Sequence, residues 1–175
     1  MQPPLDACSD PTRGLGLSAV EPGWPSNEAP PTLLRTAPSW LINKTALYSH
    51  RIIGEAFAAI GARRFHVGLL ASLVEFGPSS QASLGRRCGF DRSDVAEMIN
   101  ELAEAGHVER TQDPSDRRRN IIQITDAGRI HLERLTATLD AAQQELVAPL
   151  SADERADLAR LLGRVLDYQV GRHPL

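Results

Sequence analysis

Apolar residues recur at helical spacing once Pro38 is passed. Ile42, Ala46, Ser49, Ile53, Ala56 and Ile60 form one stripe, widened by Leu41, Leu47 and Phe57. The spacing predicts a helix over 39–60, with Ser39 as N-cap and Gly61 at its end. Phe65, Leu69, Leu70, Leu73, Val74 and Phe76 predict a second helix, stopped by Gly77-Pro78. Two short helical segments follow. Ser80 to Arg87 turns Ala82 and Leu84 inward, and Gly89-Phe90 makes the turn. Asp91 then caps a helix through Glu104 whose apolar face is Val95, Met98, Ile99 and Leu102, and Gly106 is placed to end it. His107 to Arg110 and Ile121 to Ile124 are short β-like runs around a polar loop, which predicts a hairpin.

Thr125 caps the next predicted helix. Along it Leu132, Leu135, Leu139, Ala142 and Leu146 step by three and four, a heptad seam. So long and narrow a stripe favours contact with another helix, hence a dimer; packing within one chain is the alternative. Pro149 interrupts, and Ser151-Ala-Asp-Glu154 reads as a capping box. A last helix carries Leu158, Leu161, Leu162, Val165 and Leu166. The fold class predicted is mainly α with a small β-hairpin wing. It is a winged helix-turn-helix domain flanked by N- and C-terminal dimerisation helices. The helix-turn-helix spans 80–104, the wing 107–124, and the dimerisation helices 39–60, 126–148 and 152–169. Residues 1–37 hold seven of the twelve prolines and no apolar period. They predict a flexible Pro-rich N-terminal arm ahead of a domain at 38–175.

Several segments carry a family resemblance. They are Leu84-Gly-Arg-Arg-Cys-Gly-Phe-Asp-Arg-Ser-Asp-Val95, Glu101-Leu-Ala-Glu-Ala-Gly-His-Val108, Asp113-Pro-Ser-Asp-Arg-Arg-Arg119 and Ile124-Thr-Asp-Ala-Gly128. Together they resemble the MarR family over about Pro38 to Tyr168. The resemblance implies a homodimer held by its terminal helices, bound to palindromic operators in double-stranded DNA. It also implies release by a small organic effector or by oxidation. By position, Arg118 matches the family's wing arginine that enters the minor groove, where a narrow A·T-rich groove concentrates negative potential. Asp116 matches the acidic residue that aims it, which leaves Arg117 and Arg119 for phosphates.

On the helix pair, Gln81, Arg92 and Ser93 are the leading DNA contacts, with Arg86 and Arg87 beside them. The second helix of such a pair lies in the major groove and presents polar side chains to base edges. Asp94 and Glu97 depart from the family's habit of hydroxyl, basic or polar residues there. They predict unusual operator specificity through cytosine N4, pairing with neighbouring cations, or side chains that point away from the groove. A ligand pocket is predicted from Trp40, Tyr48, His50, Arg51 and His66, an aromatic wall with a cation that suits a small organic acid; ordinary core and rim positions are the other reading.

Composition adjusts this picture. The net charge is −3, and residues 79–125 hold seven cations against eight acids. Total charge therefore argues against DNA, but the cations are bunched at Arg86-Arg87, Arg92 and Arg117 to Arg119, and location decides. A dimeric winged-helix scaffold that binds protein, with weak or no DNA binding, is the rival reading. Cys88 reads as a small buried residue rather than a redox sensor, although Arg86 and Arg87 would lower its pKa if near. The five histidines show no ligand spacing, so a metal site would need tertiary contact. No nucleophile–base set or phosphate loop argues for an enzyme. No apolar run approaches the ~20 residues that span a bilayer, and the start does not read as a signal peptide. A cytoplasmic protein without cofactor is predicted.

Overall fold

The computed structural model describes residues 29–112 and 120–172. The chain divides into two compact units, residues 1–43 and 44–175. Among the described residues of the first is a single turn of helix, α1 (Thr32–Arg35). The predicted flexible arm falls mostly on residues outside the described ones. Helix α2 (Pro38–Ala59) starts one residue earlier than expected, so Ser39 lies inside its first turn rather than capping it. Proline suits that first position because its φ is already helical and its missing N–H would have no partner there.

The second unit is built on α3 (Phe65–Phe76). Its Leu69, Leu70 and Leu73 are fully buried, and it packs against α4 (Gln81–Cys88), α5 (Arg92–Glu104), α6 (Asp126–Leu146) and the sheet. Phe57 of α2 enters the same core, with Ile53 and Ile60 against it. In α4 only part of the expected inward face is buried. Leu84 is inside, whereas Ala82 is exposed and Gly85 takes the second buried place. The reason is steric: a Cβ at Gly85 would lie 3.2 Å from the Phe90 carbonyl oxygen and 3.4 Å from Val95 Cγ2. A side chain there would press on the turn and on Val95 of α5, so a glycine lets the two helices pack closely.

The hairpin gains a third strand that the sequence did not announce. Strand β1 (Ser79–Ser80) pairs antiparallel with β3 (Asn120–Ile124), which pairs antiparallel with β2 (Val108–Gln112), giving the order β1-β3-β2. Val108 lies opposite Ile124, and both are buried with Ile122. Two serines carry no apolar alternation, so β1 is defined by backbone pairing alone.

The α5-to-β2 connection is a Schellman motif. The amide of His107 donates to the Leu102 carbonyl at 2.8 Å and that of Gly106 to Ala103 at 3.0 Å, with Gly106 at φ +72°. Thr125 then fastens α6 to this corner. Its hydroxyl donates to the Gly106 carbonyl at 2.7 Å and accepts from the Gly128 amide at 3.0 Å, while its own amide donates to the His107 carbonyl at 3.1 Å. The stripe along α6 turns out to be largely core of its own chain. Leu135 and Ala142 are buried, and Leu132 and Leu139 pack against the cluster around α3. Helix α7 (Ala152–Arg172) opens on the expected capping box: Ser151 and Glu154 exchange amide-to-side-chain bonds of 2.8 and 3.3 Å. It buries no residue, and Leu158, Leu161, Leu162, Val165 and Leu166 all face solvent. No described helix is long and apolar enough to cross a membrane.

Candidate nucleic-acid interface

The helix pair α4–α5 is set by short-range chemistry. Ser80 caps α4, accepting from the Ser83 amide at 3.3 Å. At its far end Gly89 takes the left-handed conformation, φ +66°, and the Phe90 amide returns to the Gly85 carbonyl at 3.0 Å. Asp91 holds the N-cap position of α5 without a side-chain capping bond. Asp94 stands in the first turn, where a carboxylate complements the helix dipole.

Gln81, Asp91, Arg92, Ser93 and Ala96 line one open concavity, and the Gln81 amide nitrogen donates to the Arg92 carbonyl at 3.4 Å. The structure thus brings together Gln81, Arg92 and Ser93. It separates the two arginines of α4. Arg86 is exposed, whereas the Arg87 guanidinium lies 4.1 Å over the Phe76 ring and donates to Ser79 Oγ at 3.5 Å. Asp116, Arg117, Arg118 and Arg119 lie outside the described residues. Arg110 of β2 donates to the Asn100 side chain of α5, linking that strand to the helix.

Glu97 is paired. Arg63, in the turn before α3, places one terminal nitrogen 3.0 Å from Glu97 Oε1 and 2.8 Å from Glu101 Oε1. His66 Nε2 meets the other Glu101 oxygen at 3.1 Å. Neither Arg63 nor Arg110 is among the site residues expected from the sequence. Arg63 stands 34 positions before Glu97, and no local spacing signals the pair.

Of the proposed ligand residues, Tyr48 and Arg51 are in contact. His66 is buried and held by Glu101. Tyr48 and His50 are exposed, and the Arg51 guanidinium lies 5.3 Å over the Tyr48 ring. Trp40 belongs to the first unit. Cys88 is half-buried against the core, with its sulfur 3.5 Å from Ser72 Oγ. Among the described residues no group of three or more His, Cys, Asp and Glu is placed to hold a metal.

Tertiary packing does assemble histidines. His107 and His131 stack with ring centroids 4.0 Å apart and planes 7° from parallel. Burial holds His131 below its ordinary value, helped by repulsion from His107, His66 and Arg134; burial also lowers His66, against an opposing pull from Glu101. Both depressions have the same sign for stability. Below about 6.5 the unfolded chain takes up protons that the folded chain refuses. Stability is therefore expected to fall as pH drops from 6.5 through the depressed folded values, and these two groups contribute no slope above 6.5. Denaturation midpoints between pH 7.5 and 5 check this. His131→Asn should flatten the acid side of the curve; an unchanged slope would refute the assignment.

Comparison with known proteins agrees with this architecture. Residues 62–119 match the MarR family model. The uncharacterised HTH-type transcriptional regulator YdgJ of Bacillus subtilis (strain 168) is 29% identical over 117 residues, 66% of this chain and 71% of that protein. The HTH-type transcriptional repressor NicR of Pseudomonas putida is 29% identical over 56% of this chain and 62% of its own length. The PcaV transcriptional regulator of Streptomyces coelicolor superposes with a TM-score of 0.63 at 29% identity, covering 78% of this chain and 99% of that one. A second PcaV structure, in complex with its natural ligand, matches at 28% identity and a TM-score of 0.62. With the helix pair, the three-stranded sheet and the Thr125–Gly128 corner in place, the chain is similar to the MarR family of winged helix-turn-helix, DNA-binding transcription regulators, whose model its residues 62–119 match.

Proposed function

We propose that the protein is a homodimeric repressor that binds a palindromic operator and is released by a small organic ligand. The observation that carries DNA binding is the first turn of α5, where Arg92 and Ser93 are exposed beside Gln81 on one concave surface. That end of a helix donates unpaired amides to phosphate, and its side chains reach base edges. Arg86 supplies further charge on α4, and Arg117 and Arg119 of the wing supply it at phosphates. Arg118, aimed by Asp116, enters the adjoining minor groove. The exposed apolar face of α7 supports a dimer, because such a stripe in water asks for a partner. Repression and ligand release are supported by relatives: NicR is named a repressor, and PcaV has been solved with its natural ligand. Tyr48 and Arg51, a ring and a cation on the exposed face of α2, are the pair we keep for an acidic ligand.

The scaffold reading drew its support from an acidic recognition helix. Arg63 offsets one of the two charges of Glu97 and Glu101, which weakens that support.

The test is salt dependence. Affinity for the operator should fall steeply, with a log–log slope of roughly −0.9 per phosphate neutralised. Arg118→Ala should weaken operator binding by about 1–3 kcal/mol at fixed salt. Binding insensitive to salt would reject the DNA reading, and an unaltered Arg118→Ala affinity would reject the wing assignment.

A further inference from the structure

We propose that Arg63 is a positioning residue for DNA recognition, screening the acidic flank of α5 and fixing that helix against α3. The inference rests on the reading of α5 as the DNA-facing helix. Ser93, Glu97 and Glu101 follow one another at intervals of four, so they lie one above the next on neighbouring turns. Glu97 is therefore the next side chain along the face on which Ser93 is offered to DNA. A bare carboxylate there would repel the phosphates that Arg92 and the wing attract.

Arg63 offsets part of that charge. A single guanidinium nitrogen bridges Glu97 Oε1 at 3.0 Å and Glu101 Oε1 at 2.8 Å. His66, three residues on, takes the remaining Glu101 oxygen at 3.1 Å. Two residues from the start of α3 thus hold two residues one turn apart on α5. The contact also sets the roll of α5, since the pair lies off the apolar face of Val95, Met98, Ile99 and Leu102. Arg63 and Glu97 side chains are 51% and 60% exposed, so their pairing contributes little to folding. Their effect on a polyanion is larger, because removing the cation takes the cluster from net −1 to net −2 beside the phosphates.

The experiment uses the full-length protein and a duplex that the wild type selects from a random-sequence pool. Arg63→Ala is expected to weaken binding about tenfold at ~0.1 M salt, the scale of one or two unscreened charges beside phosphate. Adding Glu97→Gln and Glu101→Gln should return affinity to within about threefold of wild type, because the repulsion goes with the carboxylates. Glu97→Gln alone should bind at least as tightly as wild type, a readout that a merely structural salt bridge would not give. If Arg63→Ala binds as wild type does, or if its loss persists in the triple variant with the salt slope reduced by about one, the proposal is overturned; in the second case Arg63 is itself a phosphate contact. A weaker Glu97→Gln also overturns it. Should the wild type select no duplex and bind none in a salt-dependent way, the DNA-facing reading fails first and takes this proposal with it.

Discussion

Gly128→Ala is expected to destabilise the fold by about 3 kcal/mol or more, the upper end of the cost of forcing atoms into a filled space. A Cβ at Gly128 would stand 2.0 Å from the His107 carbonyl oxygen and 2.8 Å from Ile124 Cγ1. Neither neighbour can swing aside cheaply. The His107 carbonyl accepts from the Thr125 amide, and the His107 amide is tied to Leu102. Relief therefore requires α6 to lift off the corner where α5 ends and the wing begins. That movement would break the Thr125 bonds to Gly106 and Gly128 and unstack His131 from His107. Gly54→Ala is the matched control. Nothing lies within 4 Å of a Cβ there, and the position is helical, so the change should be neutral or stabilise by up to about 1 kcal/mol. Urea denaturation of both variants checks the pair. A Gly128→Ala protein as stable as wild type would mean that the corner is looser than its geometry indicates.

The second large effect is expected on α7. Leu162→Glu combined with Val165→Glu should convert a dimer to a folded monomer and lower operator affinity by at least about 100-fold, because two half-sites one DNA turn (~34 Å) apart act together only when the subunits are joined. The stripe of Leu158, Leu161, Leu162, Val165 and Leu166 is exposed in the single chain, and α7 buries nothing of its own. Burying a leucine or valine from water contributes roughly 1.5–3 kcal/mol. Five such residues on each of two chains give association a strong driving force. Since α7 contributes no residue to the core, the charges should leave the monomer folded. Light scattering reads the mass, circular dichroism the fold, and a binding titration the affinity. A double variant of unchanged dimeric mass would place the interface elsewhere.

Much of the fold was legible because its signals are local. Gly89 and Gly106 end helices by adopting positive φ, which a side chain resists. Ser80, Thr125 and Ser151 cap helices with hydroxyls that reach amides three residues on. The Ile-Thr-Asp-Ala-Gly run was recognised by resemblance; the structure supplies its reason in the Thr125 bonds and the closeness of Gly128 to His107. Gln81 opens α4 and Arg92 and Ser93 open α5, and the short turn between the two helices brings all three to one concavity. The heptad seam of α6 misled for a related reason. Periodicity shows that a face is buried, and leaves open whether a neighbouring chain or the chain's own α3 covers it.

The sequence by itself thus determined the course of α2 to α7, the turn of the helix pair and the β2–β3 hairpin, since each depends on residues within about one or two turns of each other; it did not announce α1 or the start of α2 at Pro38. Tertiary structure alone decided what meets across the core. It drew Arg63 onto Glu97 and Glu101, stacked His107 on His131, took Arg87 to Phe76 and made a strand of Ser79-Ser80. Those contacts join residues brought together by packing, where distance in space is no longer bounded by distance along the chain. The charge of the recognition helix is the plainest case. Read as a string it is acidic, and only the fold places beside it a cation that offsets part of that charge.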